Sequence, residues 1–126
     1  VGSQIAYELV RNHDGSTHLL RTGDIVGSGP NEGPAKPPNI MRILGRRPVV
    51  AGGNSAGDAE MLEYAQSYDG PSLALLVDHD DADREYAYES KAGTFETEET
   101  ILRTAGRLGW VVASIRDDWD TVFADT

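Results

Sequence analysis

Residues 48–62 read Pro48-Val49-Val50-Ala51-Gly52-Gly53-Asn54-Ser55-Ala56-Gly57-Asp58-Ala59-Glu60-Met61-Leu62, and this order decides the fold class. An apolar run stops, small residues turn the chain, an Asn and an Asp follow, and a helical pattern opens. The strand is expected at 48–52 and the helix at 57–67, with Met61, Leu62 and Ala65 on one face. Glu60 and Glu63 fall in its early turns, where acidic side chains suit the positive end of the helix dipole. Asn54, Ser55 and Asp58 thereby arrive at the carboxyl end of a strand. Ligands of open α/β sheets bind in the crevice outside such strand ends. Oxygen ligands there suit Mg2+, which usually takes one or two carboxylates together with phosphate and water.

The same grammar extends in both directions. Downstream, Leu73-Ala74-Leu75-Leu76-Val77 is a continuous apolar run, as in strands covered on both faces of a parallel sheet. A short helix is expected at 81–88, and a longer one at 97–108 with Thr97 as N-cap and Gly109 as C-cap. A further strand is expected at 110–115 and a last helix at 118–123. Upstream, residues 27–38 form a turn-rich loop. Pro37 and Pro38 then open a helix through Ile40, Ile43 and Leu44 that stops at Gly45, since Pro costs nothing where the N–H has no helical partner. Strands alternating with helices indicate an α/β fold with a mostly parallel sheet and flanking helices.

The N-terminal part differs. Ile5-Ala6-Tyr7-Glu8-Leu9-Val10-Arg11 alternates apolar and polar residues, and Asp14-Gly15 separates it from a second such run at 17–22. Alternation reads as a half-exposed strand, and Asp-Gly between two strands is a hairpin signal. An N-terminal β-hairpin is therefore expected, with His13 and His18 on its surface.

Composition narrows the function classes. The chain has 126 residues and a net charge of −10, which suits one domain and argues against nucleic acid, whose binding rests on Lys and Arg neutralising phosphates. An anionic membrane surface is equally disfavoured. A phosphate ester is not, because a bound Mg2+ inverts the local field. There is no cysteine and so no disulfide or thiol chemistry, which is compatible with a cytoplasmic protein. No apolar run is long enough for a membrane span.

Two tempting motifs fail on their details. Asp78, Asp80, Asp81 and Asp83 cluster as if for calcium, but the mid-loop Gly and closing Glu of an EF-hand are missing. Gly27-Ser28-Gly29-Pro30 lacks the Gly-Lys-Ser/Thr of a phosphate-cradling loop, and its Pro removes a donor. Trp110 and Trp119 read as packing residues.

Gly53-Asn54-Ser55-Ala56-Gly57-Asp58-Ala59-Glu60-Met61-Leu62 resembles the fourth motif of the haloacid-dehalogenase-like (HAD) phosphohydrolases. Asn54 stands where the first acid of that motif often stands, and Asp58 matches the second. Lys36-Pro37-Pro38-Asn39-Ile40 resembles the third motif. Leu75 to Tyr88, Gly109 to Val112 and Asp117 to Phe123 are similar to the closing segments of phosphoserine-phosphatase-like bacterial members. The resemblance covers the chain from about Lys36 onward.

The resemblance implies a Rossmann-like HAD core and a Mg2+-dependent phosphomonoesterase acting through an aspartyl-phosphate. Lys36 would supply catalytic charge, Asp58 and Asn54 would hold the metal directly or through water, and Ser55 and His79 (or Asp80) would approach a small phosphorylated substrate. Asp58 has a plainer role open to it as a helix cap. The family's nucleophilic Asp-x-Asp motif, its Ser/Thr motif and its cap find no counterpart. Asn12-His13-Asp14-Gly15 ends like the first motif but has Asn in the nucleophile's place. Residues 1–126 are therefore expected to be the C-terminal part of a single HAD-like core, with hairpin and loop at 1–35 and βα units at 36–126. Alone, the chain is expected to be inactive. Its strand at 48–52 would carry an open edge, to be covered by its own N-terminal half or by self-association. Alternative readings are an inactive HAD-like binding or scaffold domain, and a HAD phosphotransferase or phosphonatase.

Overall fold

The computed structural model describes residues 2–26 and 29–123. Gly27 and Ser28, part of the expected loop, lie outside the described residues, as does Val1.

Three parallel strands form the main sheet: β1 is reserved for the hairpin below, so the sheet comprises β3 (Val50–Gly53), β4 (Leu73–Asp78) and β5 (Val111–Ser114), in the order β3-β4-β5. Ala51 pairs with Ala74 and Leu76 with Val112, so the strand ends at Gly53, Asp78 and Ser114 lie along one edge. Between them run α1 (Lys36–Leu44) ahead of β3, α2 (Ala59–Gln66) after it, and α3 (Ile101–Leu108) ahead of β5. A four-residue α4 (Ile115–Asp118) follows. The architecture is mixed α/β with a parallel sheet and flanking helices, as the alternating pattern predicts.

The core explains the choice of side chains. Leu62 and Ala65 of α2, Ala74 and Leu76 of β4, Ala51 of β3, and Ile101 and Ala105 of α3 are buried together with Trp110. Small residues on the strands let the helices approach closely, and Leu62 and Leu76 fill the space between. The Trp110 indole donates to Gln66 Oε1 at 2.9 Å, and Gln66 Nε2 donates to Leu108 O at 2.7 Å. A buried indole N–H thus has its partner. The packing role expected of Trp110 holds, whereas Trp119 is 45% exposed.

A separate antiparallel hairpin pairs β1 (Ile5–Arg11) with β2 (Thr17–Ile25). Asp14 Oδ1 accepts from the N–H and hydroxyl of Ser16 (2.9 and 2.7 Å), which holds the Asp14-Gly15 turn. The turn is as expected, with His13 and His18 exposed, and β2 runs on to Ile25. Tyr7, Leu9, Leu19 and Leu20 are each at least half exposed.

Three helix expectations need correction. Residues 81–88 hold only one turn, closed by Glu85 N donating to Asp81 O at 3.2 Å. The donors that a longer helix would need are drawn elsewhere: Tyr88 N donates to His79 O at 3.0 Å, closing the segment into a compact loop. The helix expected from Thr97 starts at Ile101, because Thr100 Oγ1 accepts from Arg103 N and is the N-cap, while Glu99 bonds to Thr104 and Arg107 instead of joining the helix. The last helix spans Ile115–Asp118 rather than 118–123, because Ser114 Oγ accepts from Asp117 N at 3.0 Å and caps it early. Gly45 and Gly109 do stop their helices, with φ of 68° and 71°.

Candidate functional site

The edge formed by the ends of β3, β4 and β5 carries the residues singled out in the sequence. After Gly53 the chain makes a single turn at Ala56–Asp58 before α2. Asp58 folds back over that turn. Its Oδ2 accepts from Asn54 N at 3.0 Å, Ser55 N at 3.1 Å and Ser55 Oγ at 3.2 Å. Its Oδ1 accepts from Lys36 Nζ. Gly53 makes this possible: a Cβ there would lie 2.5 Å from the Asp58 Cβ and 2.6 Å from its Cγ. The small residue after the strand is needed for close approach rather than for an unusual backbone angle.

Lys36 opens α1 and reaches Asp58 across 22 residues. The pair is largely enclosed, with side-chain exposures of 20% for Lys36 and 8% for Asp58. Burial works to raise the Asp58 carboxyl, but the Lys36 hydrogen bond, the Asn54 N–H, the Lys36 charge and the Ser55 N–H outweigh it and hold the group below the usual carboxylate value.

Asn54 meets a second set of side chains. Its Nδ2 lies 3.3 Å from His79 Nε2 and 3.3 Å from Tyr88 Oη. On the far side of the imidazole, His79 Nδ1 bonds to Glu85 Oε1 at 2.7 Å. The His79 and Tyr88 rings stack, with centroids 4.7 Å apart and planes at 18°. The structure therefore brings together all five predicted residues, Lys36, Asn54, Ser55, Asp58 and His79, in one connected network. Glu85 and Tyr88 join it without having been singled out. Their signal was masked by the helical reading of 81–88, which would have pointed them along a helix instead of back at His79.

The neighbouring acids divide by role. Asp80 accepts from Ser114 Oγ at 2.7 Å and Arg116 N at 3.0 Å, and the Ser114 hydroxyl and Arg116 N–H lower its carboxyl to about 2. Asp81 accepts from the N–H of Asp83 and of Arg84, both at 3.0 Å, and from Arg84 Nε at 2.5 Å. These two acids hold loops, and neither has the setting of a substrate ligand. Asp78 at the end of β4 is pushed up, first by burial and then by the charge of Asp80. Asp14 bonds only within its own hairpin turn, to Ser16.

Whether these residues suit Mg2+ depends on which oxygens are free. Both Asp58 oxygens already accept from protein donors. Asn54 Oδ1 accepts no hydrogen bond among the described residues, and none of them form a group of three acidic, His or Cys side chains able to hold a metal. The chain thus offers one unengaged amide oxygen beside an ion pair. That fits a shared site, because Mg2+ keeps several waters and needs few protein ligands.

A scan against protein-family models finds no match, and a search of curated proteins finds no significant relative. No helix among the described residues is long and apolar enough to cross a membrane.

Proposed function

We propose that the chain is the lysine-and-metal part of a Mg2+-dependent HAD-type phosphomonoester hydrolase, acting on a small phosphorylated substrate. The observation that carries this reading is the Lys36–Asp58 pair at the carboxyl end of β3. A lysine held by a carboxylate beside a strand-end crevice is a fixed positive charge. Such charge is worth most as negative charge spreads over a phosphoryl group in a loose transition state. Asp58 keeps the ammonium and the turn in place and reaches the metal through water, while Asn54 Oδ1 is the direct ligand. When bound, Mg2+ would neutralise phosphate charge and orient the ester. The attacking carboxylate comes from outside these residues, by the aspartyl-phosphate route that splits one hard step into two.

A specific observation favours a second reading. With both Asp58 oxygens engaged and Asn in place of an acid, the same network would serve an inactive HAD-like binding or scaffold domain. Phosphate release from an aryl phosphate, with and without Mg2+, separates the two. The chain is assayed alone and with its upstream segment supplied, and Asp58→Ala is the control. Activity that needs both parts and is lost in the variant supports the hydrolase. No activity in any combination supports the binding domain, and activity of residues 1–126 alone would place the nucleophile within them.

A further inference from the structure

We infer that His79, held by Glu85 and Tyr88, is a positioning residue that orients the Asn54 carboxamide and leaves its Oδ1 as the atom presented to a cation. The inference rests on the Mg2+ reading proposed above.

An Asn side chain has two N–H donors and one acceptor oxygen, and rotation by half a turn exchanges them. What surrounds it decides which end faces out. Glu85 Oε1 lies 2.7 Å from His79 Nδ1. An ionised carboxylate only accepts, so Nδ1 carries the proton and the neutral ring presents a lone pair at Nε2. That lone pair faces Asn54 Nδ2 at 3.3 Å, and Tyr88 Oη faces the same nitrogen at 3.3 Å. Both contacts call for the amide nitrogen at that end. A flipped amide would set Oδ1 against the Nε2 lone pair.

The ring is fixed as well as the proton. Tyr88 stacks on it, and Tyr88 N donates to His79 O at 3.0 Å, so residues 79–88 close on themselves with both rings on one side of the joint. The side chain of Asn54 is not needed to shape its own loop, because its backbone N–H already serves that purpose by donating to Asp58. Three side chains from one loop thus converge on an amide of another loop, 25 and 34 residues away, whose only remaining atom is an oxygen ligand. Residues that orient a metal ligand in this way typically change affinity by about 10–100-fold when replaced.

The test uses the full chain labelled with 15N, at a pH about 1.5 units above the ordinary imidazole value of about 6.5. Long-range 1H–15N correlations report which ring nitrogen of His79 carries the proton, and the Asn54 side-chain NH2 signals are followed through a Mg2+ titration. The expected result is a proton on Nδ1 and Asn54 signals that move with Mg2+. His79→Phe keeps the stack on Tyr88 but has no acceptor, and should weaken Mg2+ binding about 10-fold or more. His79→Gln, whose amide oxygen can accept, should recover part of that loss. A proton on Nε2 in the wild type overturns the inference. So does unchanged Mg2+ affinity in both variants while Asn54 still responds to Mg2+, an outcome that leaves the metal reading standing. Wild-type Asn54 signals indifferent to Mg2+ overturn the metal reading and this inference together.

Discussion

Lys36 Nζ donates to Asp58 Oδ1, joining the first turn of α1 to the turn that follows β3. Replacing Lys36 by Met leaves the Asp58 charge in a mostly enclosed setting without its partner. The expected loss is roughly 2 kcal/mol, less than for a fully buried pair because the Lys36 side chain is 20% exposed. Urea unfolding of K36M against wild type measures it, and a change below about 0.5 kcal/mol would show the pair to be merely a surface contact.

Gly53 explains why the Asp58 side chain can lie where it does. A Cβ at residue 53 would sit 2.5 Å from Asp58 Cβ. Gly53→Ala should therefore push Asp58 outward and cost about 1–3 kcal/mol, as overpacking does. Amide exchange provides a local readout: the N–H groups of Asn54 and Ser55, both donors to Asp58 Oδ2, should lose protection first. Unchanged protection at both would contradict the assignment.

Acid should weaken the contact between β4 and α4. Asp80, held at about 2 chiefly by Ser114 and Arg116, binds its proton more weakly folded than unfolded. Its contribution is therefore fully present above the unfolded value of about 3.9 and disappears as pH falls through about 2. Asp58, also lowered, acts in the same direction. Unfolding free energy measured from pH 5 to pH 2 should fall, and Asp80→Asn should flatten part of that slope.

Arg84 uses all of its donors. Nε bonds to Asp81, NH1 to the carbonyls of Trp119 and Asp120, and NH2 to those of Ile115 and Arg116. A lysine cannot reproduce this planar fork. Arg84→Lys should cost about 2 kcal/mol and free several carbonyls in residues 115–120. Melting temperature and exchange at 115–120 check this, and a wild-type melting temperature would refute it.

The outer edge of β3 has no strand partner among the described residues, and Val49 and Val50 beside it are 45% and 60% exposed. Bare edges invite pairing. Light scattering of residues 1–126 should show a mass that rises with concentration, and Val50→Lys should suppress the rise, since edge lysines oppose pairing. A monomer mass at every concentration would contradict this expectation.

Much of this architecture was legible in the chain. The apolar run at 73–77, the turn at 53–58 and the Asp14-Gly15 hairpin are all where periodicity and turn chemistry put them. The helix ends were less legible. Thr97 and Thr100 are equally good caps by residue type, and only the bonds of Glu99 to Thr104 and Arg107 exclude the first. At 81–88 the local pattern suits a helix, but Arg84, Glu85 and Tyr88 bond to residues outside it. A short helix gains little from its own hydrogen bonds, so these contacts prevail.

The sequence by itself determined the order of strands and helices, the hairpin, and the placing of Asn54 and Asp58 at a strand end. Each of these depends on spacing over a few residues, where side-chain periodicity and backbone preference act directly. Only the tertiary structure decided that both Asp58 oxygens are occupied, that Asp80 belongs to the cap of α4, and that Glu85 and Tyr88 turn His79 toward Asn54. Hydrogen-bond partners are chosen by distance in space, and these partners come from segments that local spacing does not relate.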